Sequence, residues 1–126
     1  MPVRYEIDKE HRLILTFGEG SVTATEIRNH QDRLLRDPNF DAAFNQLIDV
    51  TTATRFEMIT DEAKQLALRP IVSAKSKRAF VAIKPDIYGL GRLMQIYHER
   101  LADARVFNDR NEALKWLGLD RDSGRY

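Results

Sequence analysis

The side chains able to do chemistry are spread along this sequence rather than gathered in a known motif. His11 falls in a polar turn segment, and His30 and His98 fall in separate helical segments. None has the His-x-x-x-His spacing that would put two imidazoles on one helix face for a metal. Cysteine is absent, which excludes thiolate nucleophiles, thiolate metal sites and disulfide staples. Ser21, Ser73, Ser76 and Ser123 lie outside any nucleophile-elbow context. Gly89 and Gly91 of "GLG" stand inside a helical pattern, not in the loop after a strand that a dinucleotide requires. Asp49 could pair with Lys84 or Arg92 at neighbouring strand ends, but one acid and one base do not define a reaction. The expectation is a protein that is not an enzyme and has no metal and no cofactor.

Two stretches carry denser information. In "LIDVTTATRFEMITDEAKQ" an apolar run ends at Asp49, hydroxyls follow at Thr51, Thr52, Thr54 and Thr60, and Asp61 and Glu62 open a helical pattern. Free amides at a helix start favour negative charge, so Thr60 as N-cap with Asp61 and Glu62 in the first turn is the plain account. The functional account makes Asp49, Thr51, Thr60, Asp61 and Glu62 a switch or partner-binding loop, with Thr60 a candidate for phosphorylation. The second stretch is "DIYGLGRLMQIYHERL". Leu90, Met94, Tyr97 and Leu101 make one helical stripe, and Ile87, Leu93 and Ile96 broaden it. Such a face is core, groove or interface. As a groove against the preceding helix it makes Tyr88, Leu90, Met94 and Tyr97 the candidate ligand-binding residues, methionine adapting to irregular apolar shapes. As an exposed face it marks a homodimer or a peripheral membrane contact.

The elements that must position these residues follow from periodicity. Residues 3–7 and 13–17 read as a hairpin closed by Gly18 and Gly20. Thr23 and Glu26 have capping-box spacing before a helix that stops at the pre-proline Asp37. A short strand ends near Val50, and a helix from Thr60 meets Pro70, after which "IVSAK" could add a further turn. Residues 79–83 read as a buried strand. A long helix then runs from a cap at Asp86 to about Leu101, followed by the strand "ARVFN" and a last helix closed by Gly118. The order ββαβαβαβα implies an α/β fold with a mostly parallel sheet of four to five strands, an N-terminal antiparallel hairpin strand and flanking helices. One domain over residues 1–119 is expected, with a flexible tail over 120–126.

The chain of 126 residues can bury one core unaided. With 20 basic and 19 acidic residues it lacks the concentrated positive face of a nucleic-acid binder. Lys75, Lys77, Arg78 and Lys84 form a local basic cluster, read as a solvated helix end and strand flank. No apolar run could span a bilayer and "MPVRYEIDKE" has no signal core, so the expected location is cytoplasmic.

The element order together with "LIDVTTATRFEMITDEAKQLAL", "AFVAI", "YGLGRLMQIYHE" and "ARVFNDRNEALKWL" resembles the SpoIIAA-like branch of the STAS/SEC14-type domains over most of the chain. The resemblance implies a sheet of four or five strands flanked by helices. The anti-anti-sigma factors of this group carry a phosphorylatable serine at the start of the second helix. Here the serine is absent: Asp61 or Glu62 falls in its place, and Ala63 stands near the position of the motif's glycine. Other SpoIIAA-like proteins are linked to lipid or hydrophobic-ligand carriage and to membrane association without that serine. The resulting expectation is a non-enzymatic binding module for a small hydrophobic or lipid-like ligand, at a membrane surface in one version. The alternative is a regulatory protein-interaction module that lacks the phosphoswitch serine.

Overall fold

A computed structural model describes residues 2–119; the expected tail, 120–126, lies outside the described residues. The elements are β1 (Val3–Asp8), β2 (Leu13–Thr23), α1 (Ala24–Arg36), β3 (Asn45–Glu57), α2 (Thr60–Leu68), β4 (Lys77–Val81), α3 (Pro85–His98), β5 (Asp103–Phe107) and α4 (Arg110–Trp116). They form one five-stranded sheet in the order β1-β2-β3-β4-β5. β1 pairs antiparallel with β2, and the remaining neighbours are parallel. The expected α/β order is therefore present.

Because the strand order advances in one direction, crossovers of one hand lay α1, α2 and α3 on the same face of the sheet. Among the described elements only α4 covers the other face. There Leu13, Leu15, Leu47, Ala79 and Val81 pack against Ala113, Leu114 and Leu117. On the three-helix face the cores are Val22, Val50, Ala53, Ala82 and Ile87, and, beside α1, Ile14, Leu34 and Phe44. Side chains alternate along a strand, so Gln46, Ile48 and Val50 of β3 and Arg78, Phe80 and Ala82 at β4 face the three helices.

Helix α1 starts as expected: Thr23 Oγ1 accepts the Glu26 N–H, and the Glu26 carboxylate accepts the Thr23 N–H. Several boundaries differ from expectation. β2 does not stop at Gly18 and Gly20 but continues to Thr23, because β3 pairs with it as far as Thr23↔Glu57. The ladder absorbs shifts between Phe17 and Glu19 and between Gly20 and Ser21, and Gly20 takes φ 61, a conformation glycine adopts without strain. β3 accordingly runs through Thr51–Thr54, which are strand residues and not a loop. Residues 71–76 form no helical turn; Ile71 is buried and Ser76 donates to the Phe44 carbonyl at 2.8 Å, anchoring a loop. β4 lies two residues earlier than expected, leaving Ile83 64% exposed. α3 begins with Lys84 at the cap and Pro85 behind it, and ends at His98 rather than Leu101. No helix among the described residues is long and apolar enough to cross a membrane.

Candidate functional site

Between the sheet and α1, α2 and α3 lies a cavity of about 100 Å³. Its walls are mostly apolar, with Ile48 and Val50 from β3, Phe80 from β4, Val106 from β5 and Met94 from α3 among them. The polar residues that reach it are Thr16, His30, Gln31, Gln46, Arg78, Gln95 and His98. Arg105 also borders it, but its guanidinium lies over the Trp116 ring, 5.9 Å from the centroid, on the α4 side.

The polar groups form an ordered relay. Gln46, fully buried and in register with Arg78, accepts the Arg78 Nε–H at 2.7 Å and a second N–H from Nη2 on the same oxygen. Its amide nitrogen donates to Thr16 Oγ1 at 2.8 Å, and Thr16 in turn meets His30 Nε2 at 3.2 Å. Gln31 donates to the Leu66 carbonyl at 3.2 Å and accepts from Arg69, tying α1 to α2. His98 Nδ1 lies 3.0 Å from the Ala67 carbonyl. A carbonyl can only accept, so Nδ1 carries the proton and Nε2 of the neutral ring carries a lone pair.

Three features of this relay are incomplete. Arg78 has no carboxylate partner among the described residues, although a guanidinium offers five N–H donors. His30 and His98 are each 4% exposed, yet His30 Nδ1 and His98 Nε2 have no hydrogen-bond partner among the described residues. Burial lowers both imidazoles to about 4, with the Arg78 charge adding to the effect at each and Arg33 adding at His30. Burial also lowers Arg78 to about 10, which leaves it protonated at neutral pH.

Of the candidate ligand residues on α3, Met94 lines this cavity. Tyr88 packs beside the Ile87 cluster. Tyr97 faces α2, with Lys64 Nζ 5.5 Å from its ring centroid, and Leu90 is half-buried outside the cavity. The helix buries Ile87, Gly91 and His98, while Ile96 is 60% exposed, so one edge of the broad stripe is solvent-facing. At Gly91 the helix lies close to the sheet: a Cβ there would lie 2.8 Å from Phe80 Cδ1.

The candidate switch residues divide between two places. Asp49 is 9% exposed in mid-β3 and faces α4, where its Oδ2 accepts from Arg110 Nη1 at 2.5 Å. Its Oδ1 accepts the Thr51 N–H and hydroxyl. The expected partners Lys84 and Arg92 are not used; Lys84 instead reaches the Thr54 carbonyl at 3.5 Å. Thr60, Asp61 and Glu62 lie at the start of α2, on the other side of the sheet. Ile59, not Thr60, occupies the cap position, because Glu62 reaches back to accept the Ile59 N–H at 2.9 Å. Thr60 and Asp61 are exposed.

His30, His98, Gln46 and Arg78 are not among the sequence candidates, and Arg78 is a correction. It does not belong to the solvated basic cluster, because strand alternation turns it inward beside Gln46. A signal is present in each case: Ile27, His30, Gln31 and Leu34 share one helix face, and Gln46 and Arg78 occupy core-facing alternation positions. At the β1–β2 turn Asp8, Glu10 and His11 bring one potential ligand atom each within 4.8 Å of one another. There Asp8 accepts the His11 N–H at 3.2 Å and meets His11 Nδ1 at 2.8 Å, which is turn chemistry.

No protein-family model matches the chain, and no curated protein matches it in sequence. In three dimensions it is similar to an uncharacterized protein of the DUF3478 family with a SpoIIAA-like fold from Shewanella loihica PV-4. Identity is 15%, the TM-score is 0.56, and the alignment covers 91% of each chain. This protein is therefore a single α/β domain with a SpoIIAA-like fold.

Proposed function

We propose that this protein is a non-enzymatic binding module for a small apolar or amphipathic ligand, held between the sheet and helices α1, α2 and α3. The observation that supports it is the cavity itself. Protein interiors are close-packed, with few voids larger than a water molecule, whereas here about 100 Å³ is left open against apolar walls with a few convergent polar groups. That composition is what small-molecule sites have.

The test is to extract the purified protein with organic solvent, identify co-purifying molecules by mass spectrometry, and titrate the stripped protein with an environment-sensitive apolar dye. One saturable site is expected, weakened about tenfold or more by Ile48→Phe, whose added volume enters the cavity. A protein that retains no molecule and shows no saturable dye binding is not such a module. Unchanged dye affinity in a folded Ile48→Phe variant would place binding elsewhere.

A further inference from the structure

The cavity has a charged end, and no acid among the described residues lines it. Arg78 gives two N–H groups to one oxygen of Gln46, a neutral acceptor, and its other donors have no partner among the described residues. Guanidinium groups in protein interiors are normally balanced by a carboxylate or phosphate, because desolvating an unpaired charge is costly. Nearby, two histidines that are each 4% exposed also leave one ring nitrogen unpartnered. Buried nitrogens in this condition point to a missing partner, and the two histidines line the same cavity as the half-buried Arg78.

Resting on the apolar-ligand reading above, we infer that the ligand is an apolar monocarboxylate whose carboxylate pairs with Arg78 while its hydrocarbon part lies against Ile48, Val50, Phe80 and Met94. One guanidinium matches one negative charge, and its planar fork suits a carboxylate in two-point contact. Among the described residues no second guanidinium or ammonium group reaches the cavity: Arg105 lies over Trp116, and Arg33 is turned to the Val3 carbonyl at 3.2 Å. A phosphate dianion would therefore be half-balanced. Gln46 holds the fork in place before binding, so little order is lost when the acid enters. The volume sets the size. A cavity of about 150 Å³ admits benzene, with its six heavy atoms, so about 100 Å³ encloses on the order of four, the carboxylate and the carbon beside it, and the rest of a longer chain extends out along the apolar walls.

Isothermal titration near neutral pH with hexanoate, hexan-1-ol, hexanamide and hexyl phosphate separates the outcomes. Hexanoate is expected to bind about tenfold or more tighter than the alcohol and the amide. In Arg78→Met that preference disappears, and Arg78→Lys retains only part of it. Equal affinity for hexanoate and hexan-1-ol in the wild-type protein overturns the carboxylate assignment and leaves the apolar-ligand reading standing. Tighter binding of hexyl phosphate overturns it in favour of a phosphate. Absence of dye and hexyl-ligand binding alike removes both readings. The wild-type comparison is decisive even where Arg78→Met does not fold.

Discussion

Gln46 and Arg78 stand opposite each other across the β3–β4 ladder, and one amide oxygen of Gln46 takes two N–H groups of the guanidinium, the Nε–H at 2.7 Å. This pair converts an inward-pointing arginine from a folding liability into a fixed element of the cavity. It also makes Gln46 the position from which the charge can be cancelled internally.

Replacing Gln46→Glu supplies Arg78 with a carboxylate in place of a neutral amide. Carboxylate ligands should then lose most of their advantage over alcohols, while dye binding persists. Gln46→Leu leaves the guanidinium without an acceptor and should destabilise the fold by about 3 kcal/mol or more. Titration calorimetry and urea denaturation of the two variants check both outcomes.

Stability should fall with acid below neutral pH. The unfolded chain binds protons at His30 and His98 near 6.5, whereas the folded chain binds them only near 4. Their contribution is therefore fully present above 6.5 and is lost as pH falls from 6.5 toward 4. The loss is on the order of 3 kcal/mol per histidine. Urea midpoints measured across this window should decrease steadily, and His98→Gln should flatten the slope. A midpoint independent of pH there would contradict the burial of neutral imidazoles.

Gly89 and Gly91 should respond oppositely to alanine, though both lie in α3. A Cβ on Gly91 would press on Phe80 at 2.8 Å, so Gly91→Ala should destabilise by about 1–3 kcal/mol. A Cβ on Gly89 meets nothing within 4 Å, so Gly89→Ala should stabilise the helix by about 0.5–1 kcal/mol. Chemical denaturation of the two single variants reads the difference directly.

Asp49 joins β3 to the start of α4 through Arg110. Asp49→Ala removes the acceptor of the Thr51 N–H and hydroxyl together with the Arg110 contact, and should cost about 2–3 kcal/mol. Arg110→Ala should cost less, because its side chain is 34% exposed and already partly solvated. A double-mutant cycle should give a coupling of about 1 kcal/mol. Dye and hexanoate binding should be unaffected, since this pair lies on the opposite face of the sheet from the cavity.

Signals that act within a few residues are legible in the chain itself. Thr23 and Glu26 mark the start of α1 because a capping box is complete in four residues, and Gly118, at φ 79, closes α4 for the same local reason. Alternating strands and helices are enough for an α/β fold. The length of β3 is not legible, because a strand extends as far as its neighbour pairs with it, and β2 carries that pairing past two glycines. The cap of α2 lies one residue earlier than expected because Glu62 reaches Ile59.

The candidate site divides in the same way. Met94 stands out by its place on an apolar helical stripe, a property of one element. His30, Gln46, Arg78 and His98 come from α1, β3, β4 and α3, and each taken alone looks like an ordinary surface or packing residue. Only the stacking of α1, α2 and α3 over one face of the sheet brings them to one cavity. The order of elements and their apolar faces can be read along the chain, because these depend on periodicity and local hydrogen bonding. That Arg78 meets Gln46 and no carboxylate among the described residues cannot, because strand register and crossover direction exist only in the assembled sheet.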